Sequence, residues 1–201
     1  MKILRHERNL GPAAARNTGW HSATSEYIAF LDADDAWHPR KLEIQTRFIR
    51  DHPEFALSGH RHVIGGEFCP LADSVPHAAI SARALLLSNR FVTPSVMIRR
   101  GLSERFRPGQ RHMEDHLLWM QLALDGRRIA RIELALASLY KPQFGASGLS
   151  GELRAMAEAE LDNYRLLRAE GRIGAATCAA LLAWSRMKYL RRLALVALRG
   201  A

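Results

Sequence analysis

An ordering near the start constrains this chain most: a short apolar run, Tyr27 to Leu31, lies between two helical stretches that each open on proline. Gly11-Pro12 opens the first, which runs through AAARNTGWHSAT, with proline in the first turn, where its missing N–H costs nothing. Pro39 opens the second, HPRKLEIQTRFIRDHP, with Leu42, Gln45, Phe48 and Ile49 as the expected buried stripe and His52-Pro53 as its stop. The apolar run between them has the length of a strand. Helix, strand and helix in such short succession predict an α/β layer arrangement.

The rest of the chain extends that pattern. Ile3 and Leu4 read as a clipped strand. Residues 55–80, with Gly59, Gly65-Gly66, Pro70 and Pro76, read as short strands and loops. Phe91 to Ile98 is a strand candidate interrupted by Pro94. Met113 to Leu124 reads as a helix ended by Asp125-Gly126, and Ile129 to Tyr140 as strand, followed by the loop KPQFGASGLSG. From Glu152 the pattern is helical to the end. No internal repeat or low-complexity linker interrupts the chain.

The apolar run ends in a chemically loaded segment. Asp32, Asp34 and Asp35 crowd the end of YIAFLDADDAW in a chain of formal charge +9. Carboxylates this close repel one another unless a cation or a proton sits between them. If the extended geometry persists beyond Leu31, Asp32 and Asp34 face the same way. Such a hard-oxygen pair suits Mg²⁺ or Mn²⁺, whose remaining ligands are water and substrate phosphates. The carboxyl end of a strand in an α/β sheet is also where ligands bind. The competing reading is a solvated turn in which Asp34 or Asp35 caps the next helix.

Composition narrows the classes. Apolar content of 48% and charged content of 24% are those of a globular domain. Cys69 and Cys178 lie too far apart for a metal or redox spacing, which fits a reducing compartment. The opening MKILRHERNL carries no secretory signal, and the apolar stretch near Ala175 to Trp184 is too short to span a bilayer. Nucleic acid is not an expected partner, because no aromatic-interleaved basic strand or recognition motif accompanies the charge. The tail beyond Gly171 has six Lys/Arg and no acid. On a helical wheel Lys188, Arg191, Arg192 and Arg199 gather opposite Leu182, Tyr189, Leu193 and Val196. That tail either lies on an anionic membrane surface or docks on its own domain. His112 and His116 share a helical face, but HMEDH lacks the His-Glu-x-x-His order of a zinc site. His60-Arg61-His62 reads as loop or edge strand, and Trp37 and Trp119 as core.

NLGPAAARNTGWHSATSEYIAFLDADDAWHPRKLEIQ resembles the central block of family 2 glycosyltransferases with the GT-A fold. The matching pieces are Asn9-Leu10-Gly11, Ala15-Arg16-Asn17, Gly19, the apolar strand, Asp32-Ala33-Asp34-Asp35, Pro39 and Leu42. FVTPSVMIRR followed by RHMEDHLLWMQLAL is similar to a second family block, and LALASLYKPQFGASGLS to its closing strand and loop. The resemblance spans residues 3–150 and implies a GT-A-like (Rossmann-like) mixed sheet flanked by helices. Residues 1–150 are then a partial glycosyltransferase domain and 151–201 a C-terminal helical tail. Family members carry a strand and an Asp-rich, base-holding segment ahead of the Asn-x-Gly block, so an N-terminally truncated domain is expected.

The implied activity is transfer of a sugar from a nucleotide-diphosphate donor to an acceptor hydroxyl, with inversion and with Mn²⁺ or Mg²⁺. The resemblance makes Asp34 the direct metal ligand, with Asp32 nearer the ribose or a metal-bound water. Arg16 and Asn17 join the donor site. Asp115 matches the general base, with Glu114 as the second candidate. The acceptor is a carbohydrate or a lipid-linked one, and the expected location is cytoplasmic, with peripheral contact at the inner face of the membrane through the tail. Two other classes stay open: an inactive or partner-completed remnant, and a haloacid-dehalogenase-like phosphatase, which Phe30-Leu31-Asp32-Ala33-Asp34 also resembles.

Overall fold

The structure, a computed structural model, describes residues 2–66, 68, 74–140 and 152–199, with side chains as far as Ala194 in the last helix. The chain divides into two compact units, Met1–Pro142 and Gln143–Ala201.

In the first unit the Asn-x-Gly block opens α1 (Gly11–Ser22). The Gly11 N–H donates to Asn9 Oδ1 at 2.9 Å, and Gly11 sits at φ +84°, a conformation that penalises any Cβ. Pro12 then enters the first turn, as expected. β1 (Tyr27–Ala29) ends two residues before the apolar run does, and the chain turns. The Asp35 N–H closes this turn on the Asp32 carbonyl at 3.1 Å, and β2 (Asp35–Trp37) starts at once. The extended geometry therefore does not persist through Asp34, and strand alternation does not align Asp32 with Asp34. The second helix, α2 (Lys41–Asp51), starts after Pro39, with the Lys41 N–H donating to the His38 carbonyl at 2.8 Å. That offset rotates the stripe: Leu42 is exposed, and Lys41 joins Ile44, Gln45, Phe48 and Ile49 inside.

The remaining elements are β3 (Phe55–Ile64), β4 (His77–Ile80), α3 (Ala82–Leu87), β5 (Met97–Arg99), α4 (Glu114–Leu124) and β6 (Arg128–Leu139). The mixed sheet runs β1-β5-β3-β6-β2, with β4 also on β6. Only β3 and β6 pair in parallel among the described strands. β6 is the spine: β3 runs along one edge, while β4 and β2 share the other, against Ile129–Ile132 and Ala137–Leu139. His60 thus lies on a central strand, buried, and not at a loop or edge as its sequence context predicts. Pro94 breaks its strand into a 3-10 turn, Thr93–Ser95, ahead of β5. Ile3 and Leu4 form no strand and are exposed.

Two packed layers hold the sheet. Phe48 and Ile49 of α2 meet Phe55, Met97, Ala130 and Ile132. Elsewhere Trp20, Phe30, Phe106 and Trp119 form one aromatic cluster with centroids 5.2–6.5 Å apart, edge-on or tilted. Each such contact adds about 0.5–1.5 kcal/mol beyond the area it buries. This cluster ties α1, the segment after β1, residue 106 and α4 together beneath the site.

In the second unit the expected continuous helix is broken at Gly171 (φ +71°) into α5 (Leu153–Ala169) and α6 (Ala175–Arg199). Buried Glu160 of α5 accepts hydrogen bonds from Tyr164 Oη at 3.2 Å, Ser185 Oγ at 2.6 Å and Lys188 Nζ at 2.6 Å. Lys188 is therefore drawn to α5, which corrects its place on the outer basic face of the helical wheel. Cys178 is a buried free thiol, while Cys69 and the KPQFGASGLSG segment lie outside the described residues. Among the described residues no helix is long and apolar enough to cross a membrane.

Candidate active site

The site is assembled around one guanidinium. Arg16, on the second turn of α1, donates from Nη2 to Asp32 Oδ1 at 2.9 Å and from Nη1 to Glu114 Oε1 at 2.5 Å. Its guanidinium carbon lies 5.6 Å from the Phe106 centroid, so the aromatic cluster supports it from below. Burial works against the Arg16 charge, but Asp32 and then Glu114 outweigh it and hold its pKa above the ordinary value. Three segments far apart in sequence, the first helix, the acidic turn and the start of α4, are thereby fixed to one another. A groove of about 530 Å³ runs alongside, lined by Arg16, Trp20, Phe30, Leu31 and Asp32 among others.

The start of α4 is unusual. Met113, its N-cap residue, has φ 56°, the one positive φ at a non-glycine position among the described residues. Such a backbone costs on the order of 1 kcal/mol and is held by its surroundings. It places Glu114 and Asp115 in the first helical turn, where the helix dipole favours negative charge. Burial, and then the adjacent Asp115, nevertheless push the Glu114 carboxyl up to about 7, against the opposing pull of Arg16.

Asp115 is held by a different set of donors. Its Oδ2 accepts from Thr93 Oγ1 at 3.1 Å and Asn89 Nδ2 at 3.4 Å, and its Oδ1 from the His116 N–H at 2.6 Å. The turn that carries Thr93 is pinned in its turn, since the Pro94 carbonyl accepts from Trp37 Nε1 at 2.8 Å. Lys41 Nζ lies 3.8 Å from the Trp37 ring centroid, with no hydrogen-bond partner among the described residues. Burial lowers that amine to about 7. Behind the same turn, a Cβ on Gly59 would collide with the Phe91 ring.

Of the residues singled out in the sequence, Arg16, Asp32 and Glu114 meet directly, and Asp115 is the next residue on α4. Asp34 is exposed on the acidic turn. Asn17 faces the Phe106 backbone: Nδ2 donates to its carbonyl at 2.7 Å, and Oδ1 accepts its N–H at 3.1 Å. His116 is fully buried and donates from Nε2 to the Leu85 carbonyl at 2.7 Å, tying α4 to α3. Trp119 is core, while Trp37 is half-buried between Lys41 and the 93–95 turn. Sequence reasoning misses Asn89, Thr93 and Lys41. Thr93 and Asn89 lie 22 and 26 residues from the carboxylate they hold, with no short-range spacing to reveal them. Among the described residues no group of three or more His, Cys, Asp or Glu side chains makes a self-contained metal site.

A curled mixed sheet with helices on it and acids at a strand end defines an α/β domain of the GT-A type. Solved Staphylococcus aureus TarS (residues 1–349, in complex with UDP-GlcNAc) superposes with a TM-score of 0.66 at 20% identity, over 95% of this chain and 55% of that one. Residues 1–106 match the sequence profile of glycosyl transferase family 2, and the chain belongs to that family. Among relatives, the Escherichia coli UDP-Glc:alpha-D-GlcNAc-diphosphoundecaprenol beta-1,3-glucosyltransferase WfgD is 30% identical over 125 residues, 62% of this chain and 49% of WfgD. An uncharacterized glycosyltransferase of Rickettsia felis is 51% identical over 47 residues, 23% of this chain and 8% of the relative. The chain thus spans about half the length of WfgD and of the TarS fragment, or less of other relatives. Family membership leaves the phosphatase reading without support.

Proposed function

We propose that this chain carries the transfer site of an inverting glycosyltransferase that moves a sugar from a nucleotide-diphosphate donor to an acceptor hydroxyl. The observation that carries this reading is the Arg16 bridge. It fixes the acidic turn against the first turn of α4, so donor-side and acceptor-side acids share one locus. The likeness to TarS, solved with UDP-GlcNAc and with UDP, supports a nucleotide-sugar donor. The acceptor named for WfgD supports a lipid-linked or carbohydrate acceptor.

Asp115 takes the proton of the acceptor hydroxyl as its oxygen attacks the anomeric carbon. The bond from that carbon to the diphosphate oxygen breaks, its electron pair leaves with the nucleotide diphosphate, and attack from the opposite face inverts the centre. Thr93 and Asn89 orient the Asp115 carboxylate through their hydrogen bonds to Oδ2. Glu114, raised to about 7 and paired with Arg16, anchors the acidic turn and is not the base in this scheme.

Asp34 and Asp32 are hard oxygen donors that fit Mn²⁺ or Mg²⁺ only with water and donor phosphates completing the shell. A cation held by these two carboxylates would supply positive charge to offset that of the departing diphosphate. Asp32 is held by Arg16 through Oδ1, and Asp34, exposed on the turn, is the principal ligand that the family resemblance implies.

Asp115→Asn keeps the hydrogen-bonding shape and removes the base. Transfer is expected to fall by about 10²–10⁴-fold with donor binding unchanged. Transfer within a few fold of the parent would remove Asp115 from this role. A parent that binds donor and transfers to no acceptor would favour the non-catalytic reading of the chain.

A further inference from the structure

The buried Glu160 cluster does more than join two helices: it sets the rotation of α6 about its own axis. Ser185 and Lys188 bond Glu160, and Leu181, one turn earlier, is buried with them. The opposite flank therefore faces outward. It carries Trp184, Met187, Leu190 and Leu193, which are 38%, 54%, 65% and 41% exposed. At three-residue spacing these side chains slip about 60° per step over about 14 Å, so Met187 and Leu190 centre the outward flank while Trp184 and Leu193, about 180° apart, lie on its two margins. Arg186 and Arg191 are exposed on the same half. The whole sequence of α6, AATCAALLAWSRMKYLRRLALVALR, contains no acid.

We propose that this flank of α6 binds the surface of an anionic phospholipid bilayer, with Met187 and Leu190 among the acyl chain tops, Trp184 and Leu193 at the interface along the two margins, and Arg186 and Arg191 on lipid phosphates. A row of large exposed apolar side chains marks a contact surface. Its charge selects the occupant. Two copies of this flank face to face would press arginines against arginines with no acid on either helix to offset them. An anionic interface takes apolar and cationic groups together, and tryptophan favours that depth. The helix lies on such a surface and does not cross it, since it is not long and apolar enough to span. The helical wheel of the bare sequence points to a different flank, because it lacks the Lys188–Glu160 bond that turns Lys188 inward. Binding of this kind is independent of the transfer chemistry and stands or falls without it.

The test is co-sedimentation of the full chain with phosphatidylcholine vesicles, with and without phosphatidylglycerol, at two salt concentrations. The chain is expected to pellet with the mixed vesicles, to release as salt rises, and to ignore pure phosphatidylcholine. Arg186→Gln and Arg191→Gln should each weaken binding roughly fivefold. Leu190→Ser with Met187→Ser should weaken it several-fold at unchanged circular dichroism. Three results overturn the proposal: no pelleting with either vesicle, equal pelleting with both that the arginine changes leave alone, or a dimer in solution that Leu190→Ser dissolves. The last would assign the flank to a second copy of the chain.

Discussion

Glu114 and Glu160 are both buried carboxylates beside a cation, at 2.5 Å from Arg16 and 2.6 Å from Lys188, yet their surroundings differ in kind. Glu160 gathers three side-chain donors, a phenol, a hydroxyl and an ammonium, all from its own helical unit. Glu114 shares its cation with Asp32, has another acid as its next neighbour, sits directly after a left-handed Met113 and is raised to about 7. A buried ion pair alone therefore does not mark a site. Competition for the cation, a neighbouring like charge and a strained backbone together do, because stability alone would not select them.

The largest expected effect is on the structural side of this contrast. Lys188→Met leaves Glu160 buried without its ammonium and should cost about 3–5 kcal/mol in the helical pair. Thermal unfolding measures it, together with an unaltered donor affinity. An unchanged Tm would mean that Glu160 is held well enough by Ser185 and Tyr164, and would erase the contrast from that end.

Glu114→Gln sharpens the other side. Because the folded-state pKa of Glu114 is raised from about 4.5 to about 7, the folded protein holds that proton more tightly than the unfolded chain. Wild-type stability attributable to this group therefore falls as pH rises between those values. The glutamine variant lacks that slope, so relative to wild type it should gain on the order of 2 kcal/mol between pH 4 and pH 8. Parallel stability profiles for the two proteins would show that Glu114 ionises as an ordinary carboxylate.

The smallest effect belongs to Thr93→Val, which removes one of the donors to Asp115. Its loss should slow transfer several-fold with donor affinity unchanged. Thr93→Ser, which keeps the hydroxyl, should restore the rate. A loss that serine does not rescue would assign Thr93 to packing.

Much of this arrangement is legible in the chain. Asn9-Leu10-Gly11 and Pro12 act locally, and the structure shows the bond and the positive φ behind them. Amphipathic period and proline locate α2, but not its phase, because Lys41 is apolar along most of its length and the helix starts after Pro39. β2 reads as a continuation of the acidic turn. Its three residues carry no alternation, and only pairing with Leu139, Ser138 and Ala137 makes them a strand. Motif order singles out Arg16, Asp32, Glu114 and Asp115, whereas their mutual geometry depends on the packing of Trp20, Phe30, Phe106 and Trp119. Asn89 and Thr93 lie beyond any local pattern, since a chain reversal brings them to Asp115.

On the proposed reading, the acidic turn after β1 holds a donor diphosphate through a divalent cation. Calorimetric titration with a panel of nucleotide-diphosphate sugars, in Mn²⁺ and then in chelator, tests this on the wild-type chain and on Asp34→Ala. Binding that needs Mn²⁺ and disappears in Asp34→Ala is the predicted result. Binding that is indifferent to the metal, or that survives Asp34→Ala unchanged, would contradict it.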